Sequence, residues 1–235
     1  MKRLLTALLC LLVLCAGAQE RYVAYPRQDG HFPKRIRQAP LFGKKIIVFG
    51  DSYVQNADRP VTETWHCRLA ARYNMEYHNW GWNGNCLAYM WGEPYGPPLF
   101  ERYTDLPDGA DYVVVIAGHN DAVLLDRYGD DISFFRDRLI LLCEGLQAKY
   151  PEAKIVFVTP WGAPLPMFRE TIGTILEVCG ERGIPVFDAS AHSGLDPGRR
   201  LHRLLFYQSR HDMAHLSARG HRRMLRRIEP FLLAL

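Results

Sequence analysis

From residue 45 to residue 189 the chain switches repeatedly between two hydrophobic rhythms. Short apolar runs rich in β-branched and aromatic residues stand at 45–50 (KIIVFG), 75–80 (MEYHNW), 112–118 (YVVVIAG), 154–159 (KIVFVT) and 185–189 (PVFDA). The runs at 112–118 and 154–159 are almost unbroken, the pattern of strands buried on both faces. Between them the apolar residues fall at steps of three and four. A helix is predicted over 62–73, after Pro60. Another spans 131–149, with Ile132, Phe135, Leu139, Leu142 and Leu146 on one face. A third spans 168–182, with Phe168, Ile172, Ile175, Leu176 and Cys179, and Gly183 as its stop. A last helix starts near Ser217 and aligns Met224, Leu225, Ile228, Phe231 and Leu232, with Pro230 expected to kink or end it. Strand alternating with helix predicts an α/β domain, a parallel sheet with helices on both faces. Ligands then sit beyond the carboxyl ends of the strands.

The ends of the chain read differently. Residues 1–18 combine basic Lys2 and Arg3, an apolar run from Leu4 to Leu14, and small residues at Ala16-Gly17-Ala18. That order predicts a secretory signal peptide cleaved after Ala18, too short for a membrane span, and hence export to a periplasmic or extracellular space. A lipid anchor on Cys15 is the alternative, and Leu14 is bulky for such a site. Residues 19–43 are polar, with Pro26, Pro33 and Pro40, and predict an arm without regular structure that leads into a domain over 44–235. At 235 residues, 48% hydrophobic and 23% charged, the composition suits one globular domain. The formal charge of +4 is too small to argue for nucleic acid. Arg222, Arg223, Arg226 and Arg227 on the last helix read as a solvated face. Outside the leader, Cys143 and Cys179 fall on apolar helix faces and read as buried thiols. Cys67 and Cys86 are free or, in an oxidising compartment, paired.

Chemistry gathers where the strands end. Gly50-Asp51-Ser52 follows the first strand and permits a tight turn with a hydroxyl at the sheet edge. Ser52 is there either a nucleophile or, like Asp51, a helix cap. The second strand leads into 81–86 (GWNGNC), where Gly81 and Gly84 leave backbone N–H groups open to close approach. The third leads into 118–121 (GHND), where Asn120 carries an amide donor. Just before the last helix, 211–221 (HDMAHLSARGH) sets Asp212 three residues ahead of His215, a spacing that lets a carboxylate fix an imidazole tautomer. Together these supply a nucleophile, a base, an orienting acid and oxyanion donors. His211, His215 and His221 lack an accompanying metal motif, so no metal or organic cofactor is expected.

In the order and spacing of GDSY at 50–53, Gly84, GHND and DMAHL at 212–216, the chain from about Lys44 resembles the SGNH hydrolases, the GDSL esterases and lipases. The resemblance implies a three-layer α/β/α sandwich, flavodoxin-like, with a mostly parallel five-stranded sheet. It also implies Ser52 as nucleophile, His215 as base, Asp212 as its partner, and Ser52, Gly84 and Asn120 as oxyanion donors. Asn83 departs from the family's usual Ser before the oxyanion Gly, so Gly81 stands as the alternative donor.

The expected substrate is a small-molecule or polysaccharide ester. Tyr89, Met90, Trp91, Tyr95, Phe100 and Tyr103 crowd the loop from Leu87 to Pro107, and Trp161 follows the fourth strand. Trp91, Tyr95 and Trp161 are the candidates to stack on sugar or line an acyl pocket; the alternative is that they pack the loop onto the domain. Removal of acetyl groups from carbohydrate is the favoured activity. A lipid acylhydrolase, a carbohydrate-binding module on the same fold and a phosphate-binding protein using the 50–52 turn are the alternatives. Oligomeric state is not legible.

Overall fold

Successive residues of the first long strand part to opposite sides: Ile46 and Val48 enter one apolar cluster, Ile47 and Phe49 another. All four are fully buried, as a central parallel strand requires. The computed structural model describes residues 21–235 apart from Asp29. The expected leader, its cleavage point and Cys15 lie outside the described residues. The strands are β1 (Val23–Ala24), β2 (Lys45–Gly50), β3 (Glu76–Gly81), β4 (Tyr112–Ile116), β5 (Lys154–Val158) and β6 (Val186–Phe187), in spatial order β1-β3-β2-β4-β5-β6. The five strands expected from the sequence are all present and all parallel. The sixth strand comes from the arm: β1 pairs antiparallel with β3, Val23 opposite His78 and Ala24 opposite Tyr77. The arm is therefore not wholly irregular, because it satisfies backbone groups that the edge of β3 would leave open.

The helices among the described residues are α1 (Lys34–Arg37), α2 (Ser52–Gln55), α3 (Trp65–Arg72), α4 (Leu99–Arg102), α5 (His119–Tyr128), α6 (Ile132–Lys149), α7 (Phe168–Glu181), α8 (Ala189–His192), α9 (Arg200–Phe206) and α10 (Ala218–Leu233). Buried residues of α3 and α10 join the cluster on the Ile46 face, and those of α5, α6 and α7 the cluster on the Ile47 face. The result is the expected three-layer sandwich. Helix starts follow local rules: the Thr64, Asp131 and Ser217 side chains each accept a backbone N–H of the turn they begin. Pro230 does not end α10, which runs on to Leu233; the proline sits in the last turn, where few bonds remain to be lost, and Leu232 beyond it is buried. Cys67 and Cys86 are both free, one on each face of the sheet, so the sheet itself separates the two thiols.

The order of the five parallel strands reverses between β2 and β4. In open α/β sheets such a switch point is where a ligand crevice forms. Ser52 follows β2 on one side of it, and Asn120 follows β4 on the other.

Candidate active site

At the end of β2 the chain must come very close to β4. A Cβ on Gly50 would lie 2.0 Å from the Ile116 carbonyl oxygen, so only glycine fits. Asp51 then caps α2, its carboxylate accepting the Tyr53 N–H at 2.8 Å. Capping thus falls to Asp51, and the Ser52 hydroxyl is left for other work. Burial pushes the Asp51 carboxyl up to about 7, with the charge of Asp121 adding to it.

Ser52 is 9% exposed, and its Oγ lies 2.9 Å from His215 Nε2 across 163 residues of sequence. His215 Nδ1 lies 3.1 Å from Asp212 Oδ2. The other carboxylate oxygen, Asp212 Oδ1, accepts the backbone N–H groups of Ala214 at 2.8 Å and His215 at 2.9 Å. This local turn is what the three-residue spacing builds. An ionised carboxylate only accepts, so Nδ1 carries the imidazole proton and Nε2 is free to accept from the Ser52 O–H. Burial opposes charge on both groups. For His215 the Asp212 carboxylate outweighs burial and holds the ring above its ordinary value. For Asp212 the hydrogen bonds from His215 and Ala214 win and hold the carboxyl below its own.

Two backbone donors at the strand exits are unengaged. Neither Ser52 N–H nor Gly84 N–H has a hydrogen-bond partner among the described residues. Gly81 N–H, by contrast, donates to Asn79 Oδ1 at 2.9 Å. This separates the two candidate glycines: the Gly81 donor is engaged, the Gly84 donor is not. Gly84 also has φ +75°, the left-handed region. Asn120 donates one amide hydrogen to the Asn85 carbonyl at 2.8 Å, which fixes its plane and leaves a second hydrogen unused. His211 and His221 turn elsewhere, to Arg210 and to the Asn56 side chain. Among the described residues no group of three His, Cys, Asp or Glu is placed to hold a metal ion.

The aromatic candidates divide. Trp91 and Tyr95 stack with centroids 4.8 Å apart, and the Tyr95 ring lies against Gly84, 2.3 Å from where a Cβ would be. The pair thus sits beside Gly84. Trp161 does not offer its face to solvent. It is 1% exposed and stacks on Tyr53 at 3.9 Å, while its indole N–H donates to the Ala214 carbonyl at 2.7 Å. Trp161 therefore holds the turn that carries His215.

Three supports escaped the sequence reading. Asp121, fully buried and pushed up to about 6 by that burial, accepts the Leu87 and Ala88 N–H groups. Asn85 donates to the Tyr95 and Pro97 carbonyls and accepts from Arg102, which also reaches the Gly50 carbonyl. Tyr53 bridges Trp161 and His119. For Asp121 the signal was there, one residue past Asn120. For Asn85 and Arg102 nothing in the sequence joined the two positions.

The three-layer α/β/α sandwich thus brings a hydroxyl, an imidazole and a carboxylate together at the strand exits, near two unengaged backbone N–H groups. Residues 48–223 match the GDSL-like lipase/acylhydrolase family, and the chain belongs to that family of SGNH-type ester hydrolases. Solved structures share its fold. A protein from Lactobacillus plantarum is 23% identical over 82% of this chain and 98% of that chain, with a TM-score of 0.69. An acetyl xylan esterase is 18% identical over 80% and 99%, with a TM-score of 0.63. A member of the lipolytic protein G-D-S-L family from Veillonella parvula is 19% identical over 81% and 99%, with a TM-score of 0.58. Comparison with curated proteins gives no match.

Proposed function

We propose that the chain is an exported serine esterase that removes short acyl groups, acetyl foremost, from carbohydrate. The observation that carries this reading is the 2.9 Å contact between Ser52 Oγ and His215 Nε2, with Asp212 behind the ring. Ser52 Oγ attacks the ester carbonyl carbon as its proton passes to His215 Nε2. The carbonyl oxygen becomes an oxyanion held by Ser52 N–H, Gly84 N–H and the free amide hydrogen of Asn120. The tetrahedral intermediate collapses, the C–O bond to the alcohol breaks, and His215 gives its proton to the departing oxygen. Water, deprotonated by His215, then releases the acyl group from Ser52. The stacked Trp91–Tyr95 pair beside Gly84 supports a sugar-sized substrate, since aromatic faces suit pyranose rings. The acetyl xylan esterase of like fold is consistent with it. Export rests on the composition of residues 1–18.

The test is hydrolysis of p-nitrophenyl acetate, butyrate and octanoate, with Ser52→Ala alongside. Acetate is expected to turn over fastest and Ser52→Ala to lose turnover on all three. A preference for octanoate would move the reading to lipid esters. Undiminished turnover in Ser52→Ala would remove the serine mechanism, and none in the native chain, acetylated xylan included, would favour a binding module.

A further inference from the structure

The proposed chemistry leaves one polar side chain at the crevice without a task. His119 sits between Gly118 and Asn120 at the start of α5, partly exposed, with its ring edge-on to Phe168 at 5.0 Å. Its Nδ1 meets the Tyr53 phenol at 2.7 Å. Its Nε2 has no hydrogen-bond partner among the described residues and is not sealed from solvent. Tyr53 is buried and follows Ser52 directly, and burial pushes its phenol well above the ordinary value, so it keeps its hydrogen. The only acceptor in reach of that O–H among the described residues is His119 Nδ1. The bond therefore fixes the tautomer: Nδ1 accepts and Nε2 carries the hydrogen. Burial, and then the nearby His215, push His119 down to about 4, so the ring is uncharged at neutral pH. The outcome is one neutral N–H donor, held rigidly, one residue from Asn120 and within electrostatic range of His215.

Its place suggests what it reads. Asn120 belongs to the acyl half of a bound ester, through the carbonyl oxygen. His215 belongs to the alcohol half, through the oxygen to which it returns the proton. We infer that His119 is a specificity-determining residue whose Nε2–H donates to a second oxygen on the alcohol, adjacent to the ester oxygen. A carbohydrate presents such a vicinal hydroxyl or ether beside almost every acylated position; a simple alkanol presents none. This rests on the ester hydrolysis proposed above and deepens it: the substrate class becomes monoesters of vicinal diols.

Two esters of nearly equal size isolate the interaction, 2-hydroxyethyl acetate and propyl acetate, which differ by one hydroxyl in place of a methyl. The native chain is expected to favour the first in kcat/KM by about fivefold or more, the value of one neutral hydrogen bond. His119→Phe is expected to bring that ratio close to one. His119→Gln, which keeps an N–H donor and an acceptor for Tyr53, is expected to hold part of it. A native ratio below about twofold overturns the inference without recourse to any variant. So does a ratio unchanged in His119→Phe while both rates fall together, which would make the residue a support for Tyr53 and Ser52 instead. Hydrolysis abolished by Ser52→Ala but blind to the hydroxyl sinks this inference alone; absence of Ser52-dependent hydrolysis of every ester sinks the proposed function and this inference with it.

Discussion

Ser52 can present its hydroxyl to His215 because its neighbour Asp51 caps the helix, and Asn120 can offer a hydrogen to an oxyanion because Asn85 already holds the other. On the proposed mechanism, each reactive group is fixed by a residue that does no chemistry. Asn120→Ala should lower kcat by about 10²–10³ without abolishing turnover, since two backbone donors remain; steady-state rates on p-nitrophenyl acetate measure this. His215 must be unprotonated to act as a base, and Asp212 holds its pKa above the ordinary imidazole value. Activity should therefore decline as pH falls through the raised His215 pKa, at a midpoint higher than an unperturbed imidazole would give. Asp212→Asn takes away the charge that raises it, so the midpoint of the kcat/KM–pH profile should move to lower pH. The maximal rate should fall too, though less than in His215→Ala.

At the scale of elements, glycine decides how closely strand and helix approach. A Cβ on Gly81 would stand 2.3 Å from the Gln55 backbone nitrogen, inside the helix that begins with Ser52. Gly81→Ala should displace α2, lowering both melting temperature and kcat. Gly173, inside α7, has nothing within 4 Å of the same position, and Gly173→Ala should stabilise by about 0.5–1 kcal/mol in denaturant titration. The elements were legible where the pattern was long and one-sided. All five parallel strands and the long helices α6, α7 and α10 follow from spacing alone, and so does the Asp212–His215 turn, because its partners are close in sequence. What escaped depends on orientation. That Trp161 follows a strand gives its place, but only the Tyr53 ring beneath it turns it inward. Cys67 and Cys86 look pairable until the sheet is seen to lie between them. Gly81 and Gly84 differ in a single side chain, Asn79, that engages one and not the other.

For the molecule as a whole, the arm closes the sheet. β1 covers the edge of β3, and the Tyr22 carbonyl accepts the Asn79 N–H at 2.9 Å. Deletion through residue 27 should expose that edge, lower the melting temperature and produce concentration-dependent aggregation visible by light scattering. At the opposite extreme of size, the proposed mechanism makes one contact join the rate of the enzyme to the range of esters it accepts. The Tyr95 ring rests on Gly84 so closely that no larger residue fits beneath it, and Trp91 leans on Tyr95 in turn. On the proposed mechanism, remodelling this aromatic pair to admit a bulkier alcohol would loosen the turn that carries the Gly84 N–H, and bracing that turn with a side chain would evict the pair. In directed evolution, breadth and speed would have to be changed together, through paired substitutions, because neither can be improved here one residue at a time.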